Sequence, residues 1–271
     1  MFIDVHVHIG NGLNFDMNEK MVEDMIKKYN VDYCIVSNGD SVEFDHNLNL
    51  IPLDLQISQA DSFKRAIRFA RESEVKEKIF IMPWIKPATE TADDEFVGLL
   101  KENLDIVKGI KVHPYHSKTF FDSERLEPYM KLAEKYNLPF LSHTGGCEEA
   151  DAKYVYNMAV KHPDVKFIMG HMNLGTDNKS AIDLMDTAKN LYADTAWVPV
   201  ESTIEIIRRY GSKRIMFGSD SPIDGVDTYA YNGYGETSMY QRYFNELKDI
   251  IGEEAYADLM YKNAMSFLEI K

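Results

Sequence analysis

Two histidines two positions apart, His6 and His8, sit in the apolar run FIDVHVHI near the start of this 271-residue chain. On a strand the period-2 pleat points both imidazoles to one face. Asp4 shares that parity one layer deeper, where a carboxylate orients a ligating histidine or satisfies polar groups near the strand. An HxH pair alone is weak evidence for a site. It gains weight because other metal-binding residue types end later apolar runs: His143 after PFLS, His171 after FIMG and Asp220 after MFGS. Of the eight histidines, His6, His8, His113, His143 and His171 fall at predicted strand ends, and only His46, His116 and His162 fall elsewhere. Imidazole nitrogen and carboxylate oxygen suit zinc and its divalent neighbours. An open coordination position would hold a water whose pKa falls toward neutrality, and an unligated histidine or carboxylate would move protons between that water and a substrate. Ordinary uses compete at each position. Asp220 fits a cap on the turn through SPID, His171 a hydrogen-bonded core residue, and His113, before Pro114, a packed strand terminus.

Such residues meet only if the chain gathers its strand ends in one place. Eight short apolar, β-branched runs begin at Phe2, Asp32, Lys78, Val107, Pro139, Val165, Leu191 and Arg214. They alternate with segments of helical period such as MNEKMVEDMIKKYN, SFKRAIRFARESEV and SERLEPYMKLAEKYN. The expectation is an α/β protein: a single (β/α)8 TIM barrel over residues 1–271, open to distortion, with an extra C-terminal helix. In a parallel barrel the carboxyl ends of the strands converge on the face where active sites form. An open doubly wound sheet uses the same alternation, but eight strands favour closure, and neither a GxGxxG turn nor a GxxxxGK[ST] loop occurs. Asp61 and Asn178 are expected helix N-caps, and residues 221–234 and 39–52 are expected to form loops over the barrel mouth.

Hydrophobic residues make up 45% of the chain, ample for one continuous core. A formal net charge of -14 argues against nucleic-acid and anionic-membrane partners. The start has no basic region leading into a long apolar stretch, and no run approaches membrane-helix length, so a soluble cytoplasmic protein is expected. Cys34 and Cys147, the only cysteines, do not form a disulfide framework.

The DVHVH at Asp4 to His8, the strand-end His143 and His171, and the GSD ending at Asp220 resemble the amidohydrolase superfamily across nearly the whole chain. GIKVHP from Gly109, HTG from His143, GHMN from Gly170, GSDSP from Gly218 and the terminal YKNAMSFLEI resemble the branch called amidohydrolase 2. The resemblance implies that His6, His8, His143 and Asp220 hold one divalent metal per chain, zinc first, and that His171 is the acid/base residue. Two-metal members instead place a second ion on the equivalent of His171 and bridge the pair with a carbamylated lysine; Lys111 lies near that place. KVHP also fits a lysine that holds a substrate carboxylate as a plain cation. Lys111, His113 and Trp84 are the expected substrate-binding residues, with Lys86, Tyr115 and His116 also candidates for the mouth.

The implied reaction is hydrolysis of a small molecule: the activated water attacks a carbonyl carbon, Asp220 accepts its proton, and His171 polarises the carbonyl or assists the leaving group. The alternative is a metal-dependent non-oxidative decarboxylase of a small carboxylic acid, which the same branch also resembles. A non-catalytic metal-binding barrel is a third reading. The HxE and PCxxC signature of nucleic-acid deaminases is absent. A homo-oligomer would be in keeping with a compact barrel enzyme.

Overall fold

The computed structural model describes residues 1–12, 16–45 and 47–270; His46 lies outside the described residues. Eight strands follow in order: β1 (Ile3–Ile9), β2 (Tyr33–Asn38), β3 (Ile79–Ile81), β4 (Ile110–Val112), β5 (Phe140–Gly145), β6 (Phe167–Leu174), β7 (Leu191–Asp194) and β8 (Ile215–Met216). Every laddered neighbour is parallel. The ladders form two sheets, β1-β2-β3 and β4-β5-β6-β7-β8. Single bridges join their edges, Ile81 and Trp84 to Val107 and Lys111 on one side and Val7 to Ser221 on the other. At the second seam Val5 N donates to Phe217 O at 3.0 Å and Asp220 N to His6 O at 2.8 Å. The eight strands therefore take the (β/α)8 arrangement, as two laddered sheets that meet at two thin seams.

Several strands are shorter than their apolar runs. Pro83 ends the run after β3 and Pro114 the run after β4, because proline brings no amide to a ladder.

Between the strands lie α1 (Glu19–Tyr29), α2 (Gln59–Glu72), α3 (Asp94–Glu102), α4 (Pro114–Ser117), α5 (Glu127–Tyr136), α6 (Ala152–Lys161), α7 (Lys179–Leu184) and α8 (Val200–Tyr210). After β8 come α9 (Tyr240–Asn245), α10 (Leu247–Ile251), α11 (Glu253–Ala257) and α12 (Asn263–Phe267). The local chemistry of α1 explains its limits: Asn18 caps Met21 N, Glu19 opens the first turn, Lys27 and Lys28 close the last, and Asn30 ends it in the left-handed conformation. The expected cap Asp61 is inside α2; Ser58 caps that helix and its hydroxyl accepts from Asp61 N. Asn178 does stand at the N-cap of α7, but its side chain makes no cap bond and reaches back to the end of β6 instead. No helix among the described residues is long and apolar enough to cross a membrane.

The core has two parts. Val7, Ile9, Cys34, Val36, Phe140, Phe167 and Ile215 face outward into the helix layer. Ile3, Val5, Ile35, Met82, Leu141, Ile168 and Met216 fill the barrel floor, which Ala264, Phe267, Leu268 and Ile270 close from below. That plug leaves the opposite, carboxyl end of the strands for the polar side chains.

Candidate active site

Strand β1 departs from strict alternation, with a register shift between Asp4 and Val7. Val5 consequently belongs to the floor, while His6 and His8 line a cavity at the opposite end. A bulge of this kind re-aims side chains, and it overturns the expected parity of Asp4. That carboxylate touches neither imidazole: it accepts from His6 N at 3.0 Å, Ser219 N at 3.1 Å and Tyr229 OH at 2.8 Å, and it also bonds Ser219 Oγ. It ties β1 to the segment that delivers Asp220. Burial raises its pKa to about 7 against the pull of those hydrogen bonds.

The Nε2 atoms of His6 and His8 stand 3.2 and 2.9 Å from Asp220 Oδ1, and one ligand atom from each of the three residues falls within 4.8 Å of the others. The Nδ1 protons are committed elsewhere: that of His6 to Asp194 Oδ2 at 2.6 Å and that of His8 to Ser37 O at 3.3 Å. Three acceptor atoms, His6 Nε2, His8 Nε2 and Asp220 Oδ1, thus converge, an arrangement that a cation completes, so the donor set fits a divalent metal. Lys111 Nζ also reaches His6 Nε2, at 2.7 Å. Room for the His6 ring comes from two glycines, since a Cβ on Gly170 would lie 3.1 Å from His6 Cε1 and one on Gly218 would lie 3.0 Å from His6 Cβ.

Sequence reasoning missed Asp194 and Trp197. Asp194 ends β7 and also accepts from His171 N at 3.0 Å and Ala196 N at 3.2 Å. Its signal was present, a carboxylate at a strand end. Trp197 donates from Nε1 to Asp220 Oδ2 at 3.0 Å, and no pattern in the chain announces it.

The cavity, of about 230 Å³, is lined by all five expected site residues, His6, His8, His143, His171 and Asp220. Lys111, His113, Tyr115 and His116 share its wall, with Leu174 and Ile223 as apolar surface. Ile223 comes from the 221–234 segment and the 43–44 backbone bonds His116 O, so both expected loops border this mouth. Two expected residues are elsewhere. Lys86 is buried against Glu90 and Ile57 O, because its apolar stem and paired head satisfy it away from the cavity. Trp84 lies behind the lining, its ring 5.0 Å from that of His113 and 5.7 Å from that of His8.

His143 shares the cavity without joining the close triad. Its Nε2–H donates to Gly145 O at 3.2 Å, which leaves Nδ1 bare, and its ring stacks on His113 at 3.8 Å. His171 donates from Nδ1 to Ala196 O at 3.1 Å and keeps Nε2 bare, with its ring 4.9 Å from that of His6. Its backbone begins a left-handed run, His171, Met172 and Asn173 at φ 67°, 51° and 64°. That conformation costs L-residues roughly 1–2 kcal/mol each.

Burial pushes the pKa values of His6, His113 and His143 well below the ordinary histidine value, and that of His171 to about 4. Burial would raise Asp220, but the combined pull of His171, His6 and His8 outweighs it and holds the carboxyl well below its usual range. Near neutral pH His6, His113, His143 and His171 are therefore neutral imidazoles beside an ionised Asp220.

Fold and site together define a (β/α)8 enzyme with its polar donors at the strand ends. The chain belongs to the amidohydrolase family, which it matches over residues 3–270 (Amidohydro_2). Among solved structures it is similar to 2,6-dihydroxybenzoate decarboxylase in complex with 2,6-dihydroxybenzoate, at 14% identity, 99% coverage of both chains and a TM-score of 0.68. It is also similar to 5-carboxyvanillate decarboxylase of Sphingomonas paucimobilis, at 12% identity, 100% and 99% coverage and a TM-score of 0.66. A third likeness is to an Acinetobacter baumannii protein assigned as a 2-pyrone-4,6-dicarboxylic acid hydrolase, with citric acid bound, at 10% identity, 99% coverage of both chains and a TM-score of 0.64. At these identities the likeness carries the fold. Curated protein sequences gave no match.

Proposed function

We propose that this chain is a metal-dependent hydrolase of a small-molecule substrate. The observation that carries the reading is the convergence of His6 Nε2, His8 Nε2 and Asp220 Oδ1 in the wall of a cavity. His143 from β5 completes the ligand set, and zinc is the first choice of a single ion for nitrogen and carboxylate donors. A divalent ion there supplies Lewis acidity, toward a water and toward a carbonyl oxygen.

The protein's own groups do the rest. Ionised Asp220 takes the proton of the attacking water, and Trp197 Nε1 holds its second oxygen. His171, neutral and fixed through Nδ1, presents Nε2 to the substrate for proton exchange with the leaving group. Trp84 backs His8 and His113.

One observation favours the decarboxylase alternative. Lys111 is fully buried, forms no ion pair among the described residues, and lines the cavity, as suits a residue that meets a substrate carboxylate. The structurally similar decarboxylases point the same way for the fold, though not for this chain's substrate.

Metal content and isotope tracing test the reading together. Protein purified without added metal or chelator is expected to carry about one zinc-like ion per chain, unchanged in His171→Ala. About two ions, falling with that substitution, would support the binuclear form with a carbamylated Lys111 instead. Turnover in 18O-water is expected to label the product and to vanish in Asp220→Ala. Release of CO2 from a carboxylic acid with no label incorporated would replace hydrolysis by decarboxylation.

A further inference from the structure

Three of the site residues lean on the short stretch that leaves β7. Asp194 accepts from the His6 ring and from the His171 amide, Ala196 O accepts from His171 Nδ1, and Trp197 Nε1 donates to Asp220 Oδ2 at 3.0 Å.

Trp197 is set apart by its backbone, which is left-handed at φ 57°. That region is unusual for a bulky side chain, and strain of this kind clusters where a protein clamps a ligand or does chemistry. Asp220, at φ 64°, is left-handed too. One hydroxyl joins the two turns. Tyr240 OH, 1% exposed, accepts from Trp197 N at 3.0 Å and donates to Ser219 O at 2.7 Å. Val198 N closes the Trp197 turn onto Thr195 O at 3.1 Å, and Tyr243 OH donates to Val198 O at 2.7 Å. The indole thus meets the carboxylate from a pinned backbone, and the carboxylate is pinned through the residue before it.

This arrangement divides the two oxygens of Asp220. Oδ1 faces His6 Nε2 at 3.2 Å and His8 Nε2 at 2.9 Å, while Oδ2 faces the indole. Trp197 is not in the cavity wall, so it acts on an ion among these ligands only through that carboxylate. Such an ion meets Oδ1, and chelation by both oxygens would have to give up the indole bond.

Divalent ions differ in how much that matters. Zinc is at ease with four ligands, whereas manganese favours six, rich in oxygen, a shell that a two-oxygen carboxylate helps to fill. Nitrogen and oxygen donors already rank zinc above manganese, and a carboxylate held to one oxygen widens the gap.

We propose that Trp197 is a positioning residue that confines Asp220 to one-oxygen coordination and thereby sharpens the preference of the site for a four-coordinate ion such as zinc over a six-coordinate one such as manganese. The inference rests on the reading of His6, His8 and Asp220 as metal ligands and deepens it by naming what sets their selectivity.

The test equilibrates the protein as purified in chelator-buffered mixtures of zinc and manganese and reads the bound ions by elemental analysis. Trp197→Phe keeps an aromatic ring and removes the N–H. It is expected to lower the ratio of zinc to manganese affinity roughly tenfold to a hundredfold, the usual effect of losing an outer partner of a ligand, with the circular dichroism unchanged. A ratio that stays the same overturns the proposal, whether both affinities hold or both fall together, since a merely structural support would weaken the two ions alike. A measurement on the wild type decides where the variant fails to fold. Trp197 is one of two tryptophans in the chain, and in the zinc-loaded protein its indole proton is expected to resonate downfield and to exchange slowly with water. Exchange as fast as that of a free indole overturns the proposal. Wild type that holds neither ion would sink the metal-ligand reading together with this one; zinc held with a ratio indifferent to Trp197 sinks this one alone.

Discussion

One carboxylate, Asp194, holds both the Nδ1–H of His6 and the backbone amide of His171. Partners of this kind fix the tautomer of a ligating histidine, and their loss typically costs tenfold to a hundredfold in metal affinity. Asp194→Asn keeps the shape but gives up one acceptor oxygen, so chelator competition is expected to show a metal affinity lower by about that factor, with the fold intact. Unchanged affinity would remove Asp194 from the support of the site. His6, His8, His143, His171 and Asp220 were legible in the sequence because metal-ligand types at strand ends stand out. Asp194 carries the same signal but sits among residues with no histidine to draw attention to it. The parity of Asp4 was misjudged because the bulge after it leaves no trace in an alternating pattern, while its other expected role, satisfying polar groups near the strand, is the one it plays. A second carboxylate sets a pH dependence away from the metal. Glu43 is 1% exposed and accepts from Thr89 N at 2.6 Å and Thr89 Oγ1 at 2.8 Å. Burial raises its pKa from 4.5 to about 7, more than the Thr89 bonds lower it. The native state then holds this proton more tightly than the unfolded chain, so stability is greatest below 4.5 and falls as pH rises toward 7. The loss is at most about 3 kcal/mol. Urea midpoints for Glu43→Gln are expected to lose that slope between pH 5 and 8, and an identical slope in both proteins would refute the assignment.

At the scale of elements, the end of β6 explains how His171 reaches the cavity. A strand continuing past Gly170 would keep alternating; the left-handed run from His171 to Asn173 turns the chain instead. Asn178 braces that run, its Nδ2 donating to His171 O at 3.3 Å and to Met172 O at 2.8 Å, and Thr144 Oγ1 accepts from Asn173 N at 2.8 Å. Strain of this order persists only where the surroundings over-determine it. Asn178→Ala removes the brace and leaves two buried carbonyls short of a donor, an expected loss of about 1–3 kcal/mol accompanied by a lower kcat, since His171 is no longer held. Urea unfolding and steady-state kinetics check the two effects, and a stability loss with kcat untouched would detach the run from catalysis. The alternation of strands and helices was readable, but the expected caps were not, since Asp61 lies inside α2 and Asn178 makes no cap bond. What periodicity does not carry is the backbone hand of a turn: Asn178 occupies the cap position while serving the strand before it, and Ser58 displaced Asp61 because either residue type opens a helix equally well.

Across the whole molecule the barrel separates chemistry from stability, with polar donors at one end and an apolar plug at the other. Phe267 from α12 sits in the floor cluster beside Leu268 and Ile270, its ring 4.5 Å edge-on to Tyr192 and under the Lys166 ammonium at 4.9 Å. Its cluster partners on β1, β2, β5 and β6 are residues of the same strands that carry His6, Ser37, His143 and His171 higher up, and Met216 on β8 lies just before the segment that delivers Asp220. The plug therefore bears on the site only through strand positions, which the parallel ladders hold independently. Phe267→Ala is expected to cost about 3 kcal/mol, the lower end for a buried phenylalanine because the ring keeps 9% exposure. Below the melting transition, metal affinity and kcat/KM should stay within a factor of about two, because an effect of a few tenths of a kcal/mol is all that distant, unshared sites pass on. Thermal unfolding read beside metal titration checks this, and a fall in metal affinity matching the fall in stability would mean that the two ends are coupled and that the floor positions the ligands as well as closing the barrel.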